Sequence, residues 1–121
     1  GSEMCIRDSI TEECLRFVEY LTVREELTRV VFIRKAVRNF INGDNQIYPR
    51  ILIKERTNPK YIRRDTLFCG YIDKTQKKIL EEIAEEQGAN FSQAFFQALV
   101  NYCALLISMD NRGIVTINRY E

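Results

Sequence analysis

The residues with most chemical potential in this chain are cationic and clustered. Between positions 42 and 65 stand Arg50, Lys54, Arg56, Lys60, Arg63 and Arg64 against three acidic residues, with Tyr48 and Tyr61 interleaved. Lys and Arg so spaced can neutralise successive phosphates of a nucleic-acid backbone, whereas the same pattern on a solvated linker does no more than keep it soluble. Three to six phosphate contacts would give affinity a log-log salt slope of roughly −3 to −5. Arg34, Lys35 and Arg38 form a second basic group, which suits either phosphate contact or the solvent side of a helix.

Other chemistry is sparse. The chain has no histidine, the commonest general acid/base, and its carboxylates fall largely in runs such as Glu81-Glu82 and Glu85-Glu86, the pattern of a solvated helix face. No Gly-rich phosphate loop is present, so no enzymatic activity and no cofactor are expected. Cys5, Cys14, Cys69 and Cys103 include no C-x-x-C pair, which argues against structural zinc and for cysteines used as small apolar residues in a reduced, cytoplasmic setting. Lys77-Lys78 opposite Glu81-Glu82 reads as a surface ladder of i,i+4 pairs.

The 121 residues suffice for one domain or two very small ones, and 45% apolar with 29% charged residues excludes a disordered polymer. The net charge of +1 divides as 0 over 1–41, +3 over 42–65 and −2 over 66–121, so any attraction to nucleic acid must be local. The apolar run from Ala94 to Ile107, broken by Gln97 and Asn101, is read as too short and too polar for a bilayer, so no membrane partner is expected. Gly1-Ser2 has the form of a cleavage scar, and the run GSEMCIRDS resembles translated adapter sequence from gene models assembled from environmental DNA. On that reading the evolved chain begins near Ile10, with residues 1–9 an added segment that the fold must still accommodate.

The elements that would position the basic residues emerge from an internal repeat. A shift of 62 superposes Glu19 on Glu81, Ala36 on Ala98 and Asn39 on Asn101, with Phe17/Ile79, Val18/Leu80, Leu21/Ile83, Ile33/Phe95, Val37/Leu99 and Phe40/Tyr102 alike in character. Asp44-Asn45 and Asp110-Asn111 follow the matched helices, and each precedes a β-branched run, Ile51–Ile53 and Ile114–Ile117. Each unit therefore reads strand, helix, helix, strand. The predicted architecture is α+β and mainly helical, a tandem β-α-α-β repeat. The units span 1–57 and 66–121, with a basic connector at 58–65.

Local signals support this reading. Thr66 to Ile72 is short and apolar, and Asp73 can cap a helix over Lys74–Gln87 that ends at Gly88. Asn90 or Ser92 can cap a second helix to about Ser108 whose apolar positions cover more than half its circumference, so it requires burial on two sides. In the first unit, Thr11 caps Glu12–Arg24 and Thr28 caps a helix buried through Val30, Ile33, Val37, Phe40 and Ile41. Phe95, Phe96 and Tyr102 fit a core or a subunit interface better than a base-stacking platform.

The second unit resembles the ribbon-helix-helix family, the Arc and methionine-repressor class of DNA-binding proteins. The resemblance rests on Phe68-Cys69-Gly70-Tyr71-Ile72-Asp73, then Ala84-Glu85-Glu86-Gln87-Gly88, then Asn90-Phe91-Ser92 and Ala98-Leu99-Val100-Asn101-Tyr102. It covers about 37 residues closely and extends weakly, through the repeat, to Cys5–Ile41. It implies a single-chain pseudo-dimer in which the two first strands pair as a short antiparallel ribbon. The 24 residues from Asn42 to Asp65 between the last helix of the first unit and the strand of the second, up to about 80 Å when extended, allow them to meet.

By the same resemblance, outward side chains of the ribbon read bases in the major groove and the openings of the second helices grip phosphate. The base-facing set is then Arg7, Ser9, Leu67, Cys69 and Tyr71, with Cys5 beside them. The phosphate-contacting set is Thr28, Arg29, Asn90 and Ser92, joined by Arg56, Lys60, Arg63 and Arg64 of the connector. Of the base-facing residues only Arg7 is a strong hydrogen-bonding reader, and Asp8 would face inward between Ile6 and Ile10, costly if unpaired. The expected partner is double-stranded DNA, for a transcriptional repressor or a phage or plasmid DNA-processing accessory. The alternative is a phage- or mobile-element-encoded inhibitor or adaptor that binds a host protein on the same fold. A homodimer through the 91–108 helix is a further expectation.

Overall fold

The computed structural model describes residues 3–109. The chain forms strand β1 (Glu3–Ile10), helices α1 (Glu12–Arg24), α2 (Arg29–Asn42) and α3 (Pro49–Leu52), strand β2 (Thr66–Asp73), and helices α4 (Lys74–Glu86) and α5 (Phe91–Ser108). The fold is α+β, with one two-stranded antiparallel sheet.

Every long helix starts on a side-chain cap. Thr11 accepts from Cys14 N at 3.1 Å, Thr28 from Val31 N at 3.3 Å, Asp73 from Gln76 N at 3.0 Å and Asn90 from Gln93 N at 2.9 Å. Gln93 returns the bond to Asn90 N at 3.0 Å, closing a capping box. The two pairs of equivalent caps, Thr11 with Asp73 and Thr28 with Asn90, are each 62 positions apart. The first helix of each unit also ends alike. Ala89 N donates to Ala84 O at 2.8 Å around Gly88 at φ +67°, and Leu27 N donates to Thr22 O at 2.9 Å around Glu26 at φ +55°. Both are Schellman turns, one with glycine at the left-handed position and one without.

The strand register places the same relation in three dimensions. Arg7 pairs with Cys69, 62 positions further on, and under the same shift every other pair except Glu3–Asp73 maps onto another pair of the ribbon. The register is therefore centred on the Arg7–Cys69 pair. Strand alternation buries Ile6 and Ile10 on one strand and Phe68 and Ile72 on the other. Residues 3–9, set apart in sequence as an added segment, supply most of β1, because their alternation meets the pleat's demand for one apolar side.

Beneath the ribbon the four long helices share one core. Val18, Leu21, Phe32, Ile33, Val37 and Phe40 of the first half join Leu80, Ala84, Phe95, Ala98 and Leu99 of the second in a single cluster. Helix α2 packs on β2, and α5 reaches β1, so each unit's second helix covers the other unit's strand. Gly70 is where α2 comes closest: a Cβ there would lie 2.6 Å from Ile33 Cδ1. A side chain here would force that buried methyl to shift.

One expectation is corrected here. No strand forms around Ile51–Glu55. Residues Pro49–Leu52 make a helical turn with Pro49 at its first position, and β1 and β2 are the only strands among the described residues. The reason is side-chain capture by the second unit. Tyr48 N donates to Gln97 Oε1 at 2.9 Å, Gln93 Nε2 to Ile51 O at 3.0 Å, and Ile47 N to Gln87 Oε1 at 2.9 Å. These bonds satisfy the backbone that a ladder would otherwise have paired, while Ile47 and Ile51 enter the core. The matching run Ile114–Ile117 and Asp110-Asn111 lie outside the described residues. Helix α5 covers the stretch expected of it, and its 18 residues are by length and composition enough to cross a membrane. Half of that span is buried within the protein, which is how a core helix meets the same criterion.

Candidate nucleic-acid interface

Strand alternation that buries four residues necessarily exposes those between them. The outer face of the ribbon carries Cys5, Arg7 and Ser9 from β1 and Leu67, Cys69 and Tyr71 from β2, all exposed. The expected outward set therefore shares one face, with Arg7 and Cys69 at its centre. Arg7 offers a bidentate donor fork, Ser9 and Tyr71 offer hydroxyls, and Leu67 offers apolar contact of the kind a thymine methyl accepts. At the rim, Glu3 faces Arg34 at 4.0 Å.

The two inner positions next to this centre differ in character. Gly70 makes room for α2, while its equivalent Asp8 is a half-buried carboxylate. Asp8 is not left unpaired: the Ser92 hydroxyl and the Ser9 amide, the latter at 2.8 Å, both donate to its Oδ1. The cost that an inward carboxylate would carry is thereby offset at the opening of α5.

Both second-helix openings lie beside the middle of the ribbon. At α2, Arg29 Nη1 donates to Cys69 O at 3.1 Å, its guanidinium sits 4.7 Å over the Phe68 ring, and Glu19 lies 3.6 Å away. At α5, Ser92 reaches Asp8, and Lys77 stands 5.1 Å from the centre of the Phe91 ring, which stacks on Phe95. Thr28 and Asn90 are exposed, though each hydroxyl or amide oxygen already caps its helix. Each opening thus has one cation beside it, Arg29 at α2 and Lys77 at α5.

The connector residues divide. Arg56, Lys60 and Arg63 are exposed, Arg63 beside Asp65 at 3.8 Å. Arg64 instead turns inward. Its guanidinium lies 5.6 Å over Phe96, its Nη1 is buried without a hydrogen-bond partner among the described residues, and desolvation lowers its pKa despite the opposing pull of Tyr61 and Asp8. Arg64 thus belongs to the wall of the core more than to a surface held out to phosphate.

Away from the ribbon, Cys14 and Cys103 are buried neighbours, and the Cys14 thiol is pushed well up by its hydrogen bond to Cys103 and by burial. Among the described residues no group of three or more His, Cys, Asp or Glu side chains is placed to hold a metal ion. The sequence missed an open pocket of about 360 Å³ lined by Lys35, Arg38, Asn39, Asn42, Gly43 and Tyr102. Its residues come from α2, the residue that ends it and α5, and only the basic pair at 35 and 38 signalled it. Comparison with family models, curated proteins and solved structures finds no match for the chain.

Proposed function

We propose that this chain is a small double-stranded-DNA-binding protein of the ribbon-helix-helix type, with both halves of the usual dimer in one polypeptide. The observation that carries the reading is the ribbon itself: a two-stranded antiparallel sheet with an outward row of side chains from each unit, flanked by the openings of α2 and α5. A two-stranded ribbon fits the major groove, and helix openings beside it offer amides to the adjoining phosphates. Arg7 is the principal base reader, with Ser9 and Tyr71 secondary. Arg29, Arg56, Lys60 and Arg63 supply backbone attraction. A repressor, or an accessory of phage or plasmid DNA processing, would need no more than this.

Fluorescence anisotropy on genomic duplexes, including the region upstream of its own gene, tests the proposal. Sub-micromolar binding at low salt, weakening with a log-log slope of roughly −3 to −5, is the expected result. Binding no tighter than micromolar, or insensitive to salt, would refute it.

A second reading draws on a specific feature of the same face. Leu67 is 53% exposed and Tyr71 56%, more apolar surface than a base-reading ribbon needs. These residues suit a protein partner, for an inhibitor or adaptor on this fold. Self-association through α5 would have to use its exposed end, Leu105 and neighbouring Met109, since Phe95 and Phe96 are buried within the chain. A stable complex formed by a nucleic-acid-free preparation, lost on replacing Leu67 and Tyr71, would favour this second reading.

A further inference from the structure

The shift of 62 makes the two halves comparable position by position, and one comparison is unequal. The open pocket on α2 is lined by Lys35, Arg38, Asn39 and Asn42, with Tyr102 from α5. A shift of 62 takes these to Gln97, Val100, Asn101, Ala104 and, in reverse, Phe40. That equivalent place on α5 is filled by the chain itself: Gln97 binds Tyr48 N at 2.9 Å and Asn101 at 2.7 Å, and Phe40 is buried. The filled copy is neutral. The open copy has two cations where the filled one has an amide and a valine.

Neither Lys35 nor Arg38 is held in an ion pair among the described residues, and both are exposed at the pocket mouth. The two asparagines add amide donors. The Tyr102 hydroxyl stays protonated well into alkaline conditions, because burial and then the charge of Glu25 raise its pKa, so it too remains a donor. All five side chains can therefore donate hydrogen bonds to one ligand. A volume near 360 Å³ is within the range of small-molecule sites. The pocket is centred near Asn39, ten residues along α2 from Arg29 at the ribbon, a rise of about 15 Å.

The geometry points to an anion site for a phosphate-bearing small molecule, held by Lys35 and Arg38 with Asn39, Asn42 and Tyr102 as further donors. Arg supplies a planar fork for two phosphate oxygens and Lys a mobile point charge. The site stands independently of the DNA reading, since it is built on a different part of α2 and uses none of the ribbon residues.

Titration of the full chain with inorganic pyrophosphate at constant ionic strength, followed by amide chemical shifts, tests it. Saturable shifts confined to residues near 35–43 and 102 are expected, with a submillimolar Kd. The double replacement Lys35→Gln, Arg38→Gln should weaken binding at least about tenfold, which corresponds to about 1.4 kcal/mol. Lys54→Gln, an exposed connector cation outside the pocket, should leave it unchanged. Shifts spread over all basic residues, equal loss in Lys54→Gln, or no saturation by about 10 mM would overturn the inference. So would shifts at these residues produced by a short DNA duplex and not by pyrophosphate, because the pocket would then be one more backbone contact.

Discussion

Replacing Gly88 by alanine isolates the backbone contribution of the turn between α4 and α5. Gly88 sits at φ +67°, and a Cβ added there meets nothing within 4 Å, so contact with neighbours contributes nothing. What remains is the steric cost of a left-handed residue with a side chain, roughly 1–2 kcal/mol, less the stabilisation of about 0.4–1 kcal/mol from a stiffer unfolded chain. Gly88→Ala should therefore destabilise by about 1 kcal/mol. The equivalent position in the first unit gives the opposite experiment. Glu26 already occupies φ +55°, with the same pair of turn hydrogen bonds, so Glu26→Gly should relieve the strain and stabilise by about 0.5 kcal/mol. Urea unfolding measures both, through a shift in midpoint at constant m-value. A cost for Gly88→Ala below about 0.3 kcal/mol, or destabilisation by Glu26→Gly, would refute the equivalence of the two turns.

Four further outcomes follow from other parts of the structure. Gly70→Ala should destabilise by about 1–3 kcal/mol, because its Cβ would stand 2.6 Å from the fully buried Ile33; thermal melting checks this. If the ribbon reads DNA, Arg7→Ala should weaken binding to the preferred duplex by about 1–3 kcal/mol and erase most discrimination between duplexes, measured by anisotropy on matched and shuffled sequences. Exposed Cys5 and Cys69 should react quickly with a thiol reagent, and buried Cys14 and Cys103 only on unfolding. Cys14 also has a raised folded pKa, so the folded state holds its proton longer than the unfolded one; its contribution is intact below about pH 8.5 and declines above it, a slope that Cys14→Ala should flatten in alkaline urea titrations.

Much of the secondary structure is legible in single residues. Thr11, Thr28, Asp73 and Asn90 each cap the helix their position foretold, and Gly88 ends α4. The alternation over 66–72 was sufficient to place Leu67, Cys69 and Tyr71 together on the outer face of β2. The stretch around Ile51–Glu55 was misread as a strand because Ile51 and Ile53 are β-branched and Leu52 is apolar, a signal shared by any short buried segment. Its true conformation depends on Gln87, Gln93 and Gln97, residues 40 to 49 positions away whose polar character gave no hint of what they bind. Arg64 reads as a free cation in sequence for the same reason. Nothing adjacent announces Phe96 as its neighbour.

Helix caps, the Gly88 turn and the alternation of β2 were legible in the sequence, because they depend on groups within a few positions of one another. Only the tertiary structure decided which helix covers which strand, how Asp8 is satisfied, and that Lys35 and Arg38 border an open pocket. Those outcomes depend on side chains brought together from distant parts of the chain, where packing and hydrogen-bond geometry, and not sequence spacing, select the partner.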